Sequence, residues 1–380
     1  MQDFPGGTGR FVDGVNARRM RMYMEGTFYK DFDYKLEIEF QNGFSPAGLS
    51  VPAGTNTVSN SPGPTDAWVQ ARNVPFLGTV RIGNQKEWFS LEHIESYRSL
   101  LYMERSYLFD FSQATAFNNG FSPGVSAFNT WAEKRVFTGV GVYKNESDLS
   151  GYGIGYGEYA VTGRVAGLPV WEPDSQMYWH VGGAMSHRDP VAGRVQIRIR
   201  NEVRNGPFPL LNLIANTGAI TAESQDLYNL ETAAAYGPLT VSGEYTANLV
   251  NGARQGSGPN VGTLAYQGFY VQSMVFLTGE HRGWDQGTAS FKRVVPLYDL
   301  SFSHGTWGAV EAGARYTYLN LDDKGVNGGR LNDLTLGLTW YWNANARLQV
   351  NYDYLYRDGG PNPLAKGAIH SLGTRLALDF

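Results

Sequence analysis

The 380-residue chain contains no cysteine, which excludes disulfide scaffolds, thiolate metal sites and cysteine nucleophiles. It has no apolar run near the ~18 residues of a membrane-crossing helix. The most apolar short stretch, Pro209-Leu210-Leu211-Asn212-Leu213-Ile214-Ala215, is broken by a polar residue. Charge is scarce, with Asp, Glu, Lys and Arg making up 17% against roughly 25% in a typical soluble domain. Neither sign dominates: 31 basic and 35 acidic residues leave a net charge of −4. A strongly basic nucleic-acid binder and an acidic disordered tail are both excluded, and no nucleic-acid partner is expected. The opening residues, Met1-Gln2-Asp3-Phe4-Pro5-Gly6-Gly7, lack the charged-then-apolar pattern of a leader, so the chain reads as cytoplasmic or as a mature or trimmed form.

Glycine (47 residues), tyrosine (23) and aromatics in general (14%) are plentiful instead. The dominant pattern is a period of two. Leu334, Leu336, Leu338, Trp340 and Trp342 alternate with Asp333, Thr335, Gly337, Thr339 and Tyr341. Leu348, Val350, Tyr352, Tyr354 and Tyr356 alternate with Arg347, Gln349, Asn351 and Asp353. Successive side chains of a strand point to opposite faces, so this regularity predicts strands. The spans are 17–28, 31–41, 65–73, 77–85, 133–143, 152–165, 176–187, 193–203, 225–236, 238–248, 264–280, 296–304, 307–320, 332–343, 345–356 and 368–380. About sixteen segments of this length, with tight connections alternating with long Gly/Ser/Pro/Asn-rich ones, match a membrane barrel.

The faces decide between a barrel and a soluble sandwich, which also alternates. One parity is apolar and edged by Trp and Tyr, rings that favour the boundary between lipid and water. The other carries full charges, among them Arg19, Arg21, Lys35, Glu37, Arg198, Arg200, Glu311 and Arg315, and small residues such as Gly139 and Gly337. A face charged on many strands needs water, and closing some sixteen such strands encloses an aqueous lumen. The predicted fold is therefore all-β: a 16-stranded antiparallel transmembrane β-barrel. Leu372, Leu376, Leu378 and the terminal Phe380 share a parity, and this ending resembles the assembly signal of outer-membrane barrels. Residues 86–132 break the rhythm. An aromatic-rich connection of that length is usually functional, and the economical place for it is the lumen, where it narrows the pore; the alternative is an ordered surface flap.

Val80-Arg81-Ile82-Gly83-Asn84-Gln85-Lys86-Glu87-Trp88-Phe89-Ser90-Leu91-Glu92, followed by Tyr102-Met103-Glu104-Arg105-Ser106, resembles the phosphate-selective porin O/P family of Gram-negative outer membranes. Thr27-Phe28-Tyr29-Lys30-Asp31, Tyr270-Val271-Gln272 and Phe276-Leu277-Thr278-Gly279-Glu280 match as well, so the resemblance runs from about residue 17 to 380. Trp88 departs from the pattern, standing where the family usually has proline. The resemblance implies a trimeric sixteen-stranded barrel in the cell outer membrane, surrounded by membrane lipids and lipopolysaccharide, with an inward-folded constriction loop and basic residues lining an anion path. On this reading residues 1–16 are an N-terminal periplasmic segment, 17–380 a single barrel, and 86–132 its inserted loop. On the charged parity, basic residues from Arg19 to Arg375 are nearly matched by acidic ones from Glu25 to Asp353.

Diffusion through a water-filled pore needs no catalytic group, and charge rings in a low-dielectric wall set its selectivity. Arginine suits oxyanions because its planar fork stays charged and offers paired hydrogen bonds. The candidate pore-lining, anion-binding residues are Lys86, Arg98 and Arg105 in the inserted segment, Arg81 and Arg135 beside it, and the stripe Arg194, Arg198 and Arg200. For Lys86-Glu87 and Glu104-Arg105 the alternative is structural ion pairing that anchors the loop to the wall. Gly151-Tyr152-Gly153-Ile154-Gly155-Tyr156-Gly157 lacks the following helix of a dinucleotide site. The six scattered histidines show no metal-ligand spacing, so no metal, cofactor or enzymatic activity is expected. The expected function is passive outer-membrane diffusion of small solutes and ions, leaning toward anions such as phosphate. The alternative is a structural or docking barrel of the envelope with a plugged lumen.

Overall fold

A computed structural model describes residues 13–40, 62–112, 120–145, 157–204, 213–360 and 366–380. The first twelve residues, Gly151 to Tyr156 of the glycine run, and parts of several expected long loops lie outside them. Twenty-two strands are found among the described residues. In chain order they are β1 (Arg21–Phe28), β2 (Phe32–Glu39), β3 (Gly63–Val74), β4 (Gly78–Lys86), β5 (Phe121–Trp131), β6 (Val136–Lys144), β7 (Tyr159–Glu172), β8 (Met177–Arg188), β9 (Arg194–Val195), β10 (Arg198–Arg200) and β11 (Leu213–Asn216). They continue with β12 (Ile220–Thr221), β13 (Ser224–Tyr236), β14 (Leu239–Asn251), β15 (Arg254–Gln255), β16 (Leu264–Phe276), β17 (Trp284–Asp285), β18 (Ser290–Phe291), β19 (Ala309–Asp323), β20 (Val326–Tyr341), β21 (Ala346–Asp358) and β22 (Gly367–Leu378). Two short helices, α1 (Leu91–Ile94) and α2 (Tyr107–Ser112), lie between β4 and β5.

Fifteen strands form one sheet in the order β1-β2-β3-β4-β5-β6-β7-β8-β13-β14-β16-β19-β20-β21-β22. Every pairing in it is antiparallel. Tight turns gather at one end, as between β13 and β14, where Gly237 takes the positive φ that the two-residue turn requires. Most long connections lie at the other end. The exception is 277–308, which joins β16 to β19 at the tight-turn end.

Three expectations about strands are corrected. Residues 121–131, placed in the inserted segment, form β5 of the main sheet; the small residues Ser122, Gly124 and Ser126 and the interrupting Pro123 hide its alternation. Residues 193–203 are not a wall strand but hold the short β9 and β10 in the connection after β8. Their period of two is real, but buried Val195, Ile197 and Ile199 pack inside the molecule. Residues 296–304 carry only the isolated bridge Ser301–Thr306, in a stretch rich in turn-forming Asp, Ser and Gly. The expected sixteen wall strands are thus fifteen in the main sheet, and no ladder joins β1 to β22 among the described residues.

The apolar parity faces outward and the polar parity inward. On β20, Leu334, Leu336 and Leu338 are 40–45% exposed while Asp333, Thr335 and Thr339 are at most 1% exposed. On β21, Tyr352 and Tyr354 are exposed and Gln349, Asn351 and Asp353 are buried. Flat, fifteen strands would span roughly 67 Å at about 4.8 Å per strand. Yet residues 87–105 reach β8 through Arg188, β14 through Glu244, β19 through Arg315, β20 through Thr339 and β22 through Arg375. The sheet therefore curls around this segment.

Candidate functional site

Two further connections fold into the same interior. In 189–223, Val195, Ile197, Ile199, Ile214 and Ile220 pack with Tyr107 and Phe111 of α2 against the inner faces of β14, β16 and β19–β22. In 277–308, the β17–β18 hairpin buries Trp284 against His180, Tyr178 and Phe291, with ring centroids 4.6, 5.2 and 5.2 Å away. Arg282 on this connection binds Glu311 of β19 at 2.7 Å and the carbonyl of Ser99, so it touches the segment entering from the other end.

Glycine seats receive the first insertion. A Cβ on Gly337 would lie 2.8 Å from the Tyr102 ring, and one on Gly139 2.8 Å from the Trp88 ring. These wall positions stay bare because the inserted aromatics occupy the space a side chain would need.

Ion pairs pin the insertion to the wall. Glu87 accepts from Arg188 of β8 at 2.7 Å, not from Lys86. Glu92 accepts from Arg315 at 3.2 Å. Glu104 gathers four guanidiniums: Arg18 and Arg19 from the chain before β1 at 3.0 and 2.8 Å, Arg375 of β22 at 2.6 Å, and Arg204 at 3.6 Å. Both edges of the sheet thus meet on one carboxylate. Burial raises the pKa of Glu104, but Arg18, Arg19, Arg375 and Arg204 outweigh it and hold the group well below the carboxylate range.

Beside this hub, along β1–β4 and β22, lies a cavity of about 2180 Å³. Ten Arg or Lys side chains line it against five Asp or Glu, a local positive excess in a chain of net charge −4. Asp13 to Asn16, assigned from sequence to a periplasmic segment, also line it.

The sequence candidates fall unevenly around this space. Arg81 of β4 lines the cavity, gives Nε and a terminal nitrogen to Gln70, and stacks 4.1 Å over Trp68. Lys86 lines it and donates to the carbonyls of Ile94 and Glu95 at 3.0 and 2.9 Å. Arg98 lines it with Asp379 at 3.7 Å. Arg105 is buried just behind, clamping the carbonyls of Glu92 and Glu95. The cations of Lys86 and Arg105 thus meet the end of α1, where free carbonyls carry partial negative charge. Among the described residues Arg81, Lys86, Arg105 and Arg347 pair with no carboxylate; Arg347 donates instead to the carbonyls of Tyr97 and Arg98, 2.6 Å each.

The rest do not join the cavity. Arg135 is exposed in the tight turn after β5, far along the wall from the inserted segment's hub. Arg194 is exposed and Arg198 half-buried on the short strands of 189–223, and Arg200 binds Asp110 of α2 at 2.9 Å. The stripe is an anchor inside an insertion rather than a strip of wall, because its apolar alternates need burial. Arg18, Tyr97 and the hub role of Glu104 were missed. The paired arginines just before β1 were a visible signal, but what they converge on is not local in sequence.

The family model described as "Phosphate-selective porin O and P" matches residues 2–380. An uncharacterised protein of Caulobacter vibrioides is 27% identical over 379 residues, covering 97% of this chain and 68% of its own length. Porin O of Pseudomonas aeruginosa is 22% identical over 370 residues, covering 90% of this chain and 77% of its own. Among solved structures, an anion-selective porin from Comamonas acidovorans aligns with a TM-score of 0.50 at 14% identity, over 96% of this chain and 88% of that one. OprB of Pseudomonas putida aligns with a TM-score of 0.53 at 10% identity, over 94% and 87%; these two likenesses speak to the fold alone.

Proposed function

The chain belongs to the phosphate-selective porin O and P family, and from that premise we propose that small anions cross the outer membrane along the cavity beside β1–β4 and β22, inside a sixteen-stranded barrel. The protein is an outer-membrane porin, a channel rather than an enzyme. The observation that carries the anion preference is the twofold excess of cationic over acidic side chains on the cavity wall. Such an excess, held between low-dielectric walls, raises the local concentration of anions. Arg81 and Lys86 stand on that wall with Arg105 just behind it, and among the described residues none of the three makes a salt bridge.

Strand parity supports the count of sixteen. Fifteen alternating strands leave β1 and β22 running the same way, so an all-antiparallel wall needs one more strand between them. A homotrimer, with its outward leucines and tyrosines against lipid and lipopolysaccharide, is part of this proposal; family membership and the outward apolar face support it.

The test is the reversal potential of purified protein in a planar bilayer under a salt gradient. Replacing Arg81, Lys86 and Arg105 together by glutamine is expected to move it toward cations. An unchanged value refutes their role. Added phosphate that lowers chloride current marks a binding site for phosphate; no reduction leaves general anion permeability.

A second reading is favoured by the described parts of 87–120 and 189–223 and by 277–308, which fill much of the interior: a structural or docking barrel with a plugged lumen. It predicts no stable conductance in the same bilayer.

A further inference from the structure

Tyr97 occupies an unusual place on the cavity wall. It is half-buried and lines the cavity. The guanidinium carbons of Arg19 and Arg105 stand 3.6 and 3.7 Å from its ring centroid, and that of Arg21 is 5.5 Å away. Its backbone is fixed as well, because Arg347 donates to its carbonyl. The ring is thus held between cations that come from the chain before β1 and from its own segment.

Among the described residues the cations around it outnumber the carboxylates. From the chain before β1 come Arg18 and Arg19, and from β1 Arg21, which is paired to Glu37 and Glu39. From its own segment come Arg98 and Arg105, with Lys86 of β4 bonded, like Arg105, to the carbonyl of Glu95, whose side chain lies by Arg282. From β21 and β22 come Arg347 and Arg375, and from 189–223 Arg204 and Arg200. Among the described residues the carboxylates that answer them are Glu104, shared among four of these arginines, Asp110, paired to Arg200 and Arg204, and Asp379 beside Arg98, besides the Glu37 and Glu39 of Arg21.

We propose that Tyr97 is a selectivity-determining residue: with its phenol proton in place the surrounding guanidiniums are short of one counter-charge and draw a mobile anion, and with the proton released to lumenal water the phenolate supplies that charge itself. The inference rests on the channel reading above. Burial pushes the phenol up, but Arg105, Arg19 and Arg18 outweigh both burial and Glu104 and bring it down to about 7. A tyrosine ordinarily ionises near 10, so this one would titrate well below the ordinary range.

Tyr97→Phe keeps the ring between the arginines and removes only the ionisable hydroxyl. Wild type and Tyr97→Phe are compared in planar bilayers under a KCl gradient, at pH values on either side of about 7. The wild-type anion preference is expected to fall as pH rises through that value, while Tyr97→Phe keeps a higher preference at the alkaline end. Glu95, which burial pushes up to about 7 against Arg282 and Arg105, is present in both proteins, so its titration cancels in the comparison. In parallel, the tyrosinate absorbance of wild type minus Tyr97→Phe is expected to show one phenol titrating near neutrality. An anion-selective current with the same pH slope in both proteins, or a difference spectrum flat until the ordinary tyrosine range, overturns the role of Tyr97 and leaves the channel reading standing. No current at any pH sinks the channel reading, and the role of Tyr97 with it.

Discussion

The two sides of the interior are built on opposite terms. Along β13–β20 the inner wall is covered: 277–308 and the described parts of 189–223 lie on it with buried Ile, Val and Trp side chains, and buried arginines there meet carboxylates, Arg164 of β7 with Glu231 of β13, Arg282 of the insertion with Glu311, Arg315 with Glu92 and Glu202. Along β1–β4 the cavity opens and cations outnumber acids on its lining, while β22 borders both sides, its Arg375 meeting Glu104 of the inserted segment. The same period-two pattern produced both sides. What separates them is whether a charged inner face meets a folded insertion, which must satisfy every charge it buries, or meets water, which need not.

The packed side should be the more costly to disturb. Trp284→Ala removes a ring that is 2% exposed and is expected to cost about 4 kcal/mol, with a larger single-channel conductance as 277–308 loosens. Thermal unfolding in detergent and bilayer recording measure the two, and an unchanged conductance would mean that this insertion does not limit the path.

Glu104→Gln tests the boundary between the sides. It leaves four guanidiniums without their shared carboxylate and is expected to cost about 3 kcal/mol while increasing anion preference. The sign with pH follows from the depressed pKa of Glu104. Its contribution is fully present above the ordinary carboxylate value of 4.5 and is lost as pH falls through its lower folded value. Wild-type melting temperature should therefore drop on acidification by more than that of Glu104→Gln, and equal slopes would remove Glu104 from the role of hub.

The smallest effect belongs outside the comparison. Arg135 is exposed in a tight turn, so Arg135→Gln should change stability by no more than about 0.5 kcal/mol and leave the reversal potential where it was. A shift as large as that of the Arg81, Lys86 and Arg105 triple variant would show that charge at the tight-turn rim, not on the cavity wall, sets selectivity.

Fourteen of the wall strands were legible because their alternation is local and long. β5 was not, since glycine, serine and proline dilute its apolar parity. Residues 193–203 misled for the converse reason: Val195, Ile197 and Ile199 alternate as cleanly as a lipid-facing strand, and period alone cannot say whether the oily side faces lipid or a packed interior. The inserted segment, and Lys86, Arg81 and Arg98 on the cavity, were legible from broken rhythm and charge. The convergence on Glu104 was not, because Arg18, Arg19, Arg204 and Arg375 are brought together by curling of the sheet.

By itself, then, the sequence determined that this chain builds strands with an oily and a charged side, because strand geometry sends neighbouring side chains to opposite faces whatever lies far away. Only the tertiary structure decided which charges stay free to meet a passing ion. That depends on which segments fold inward and which partners they bring, and the sequence distances involved leave no local trace.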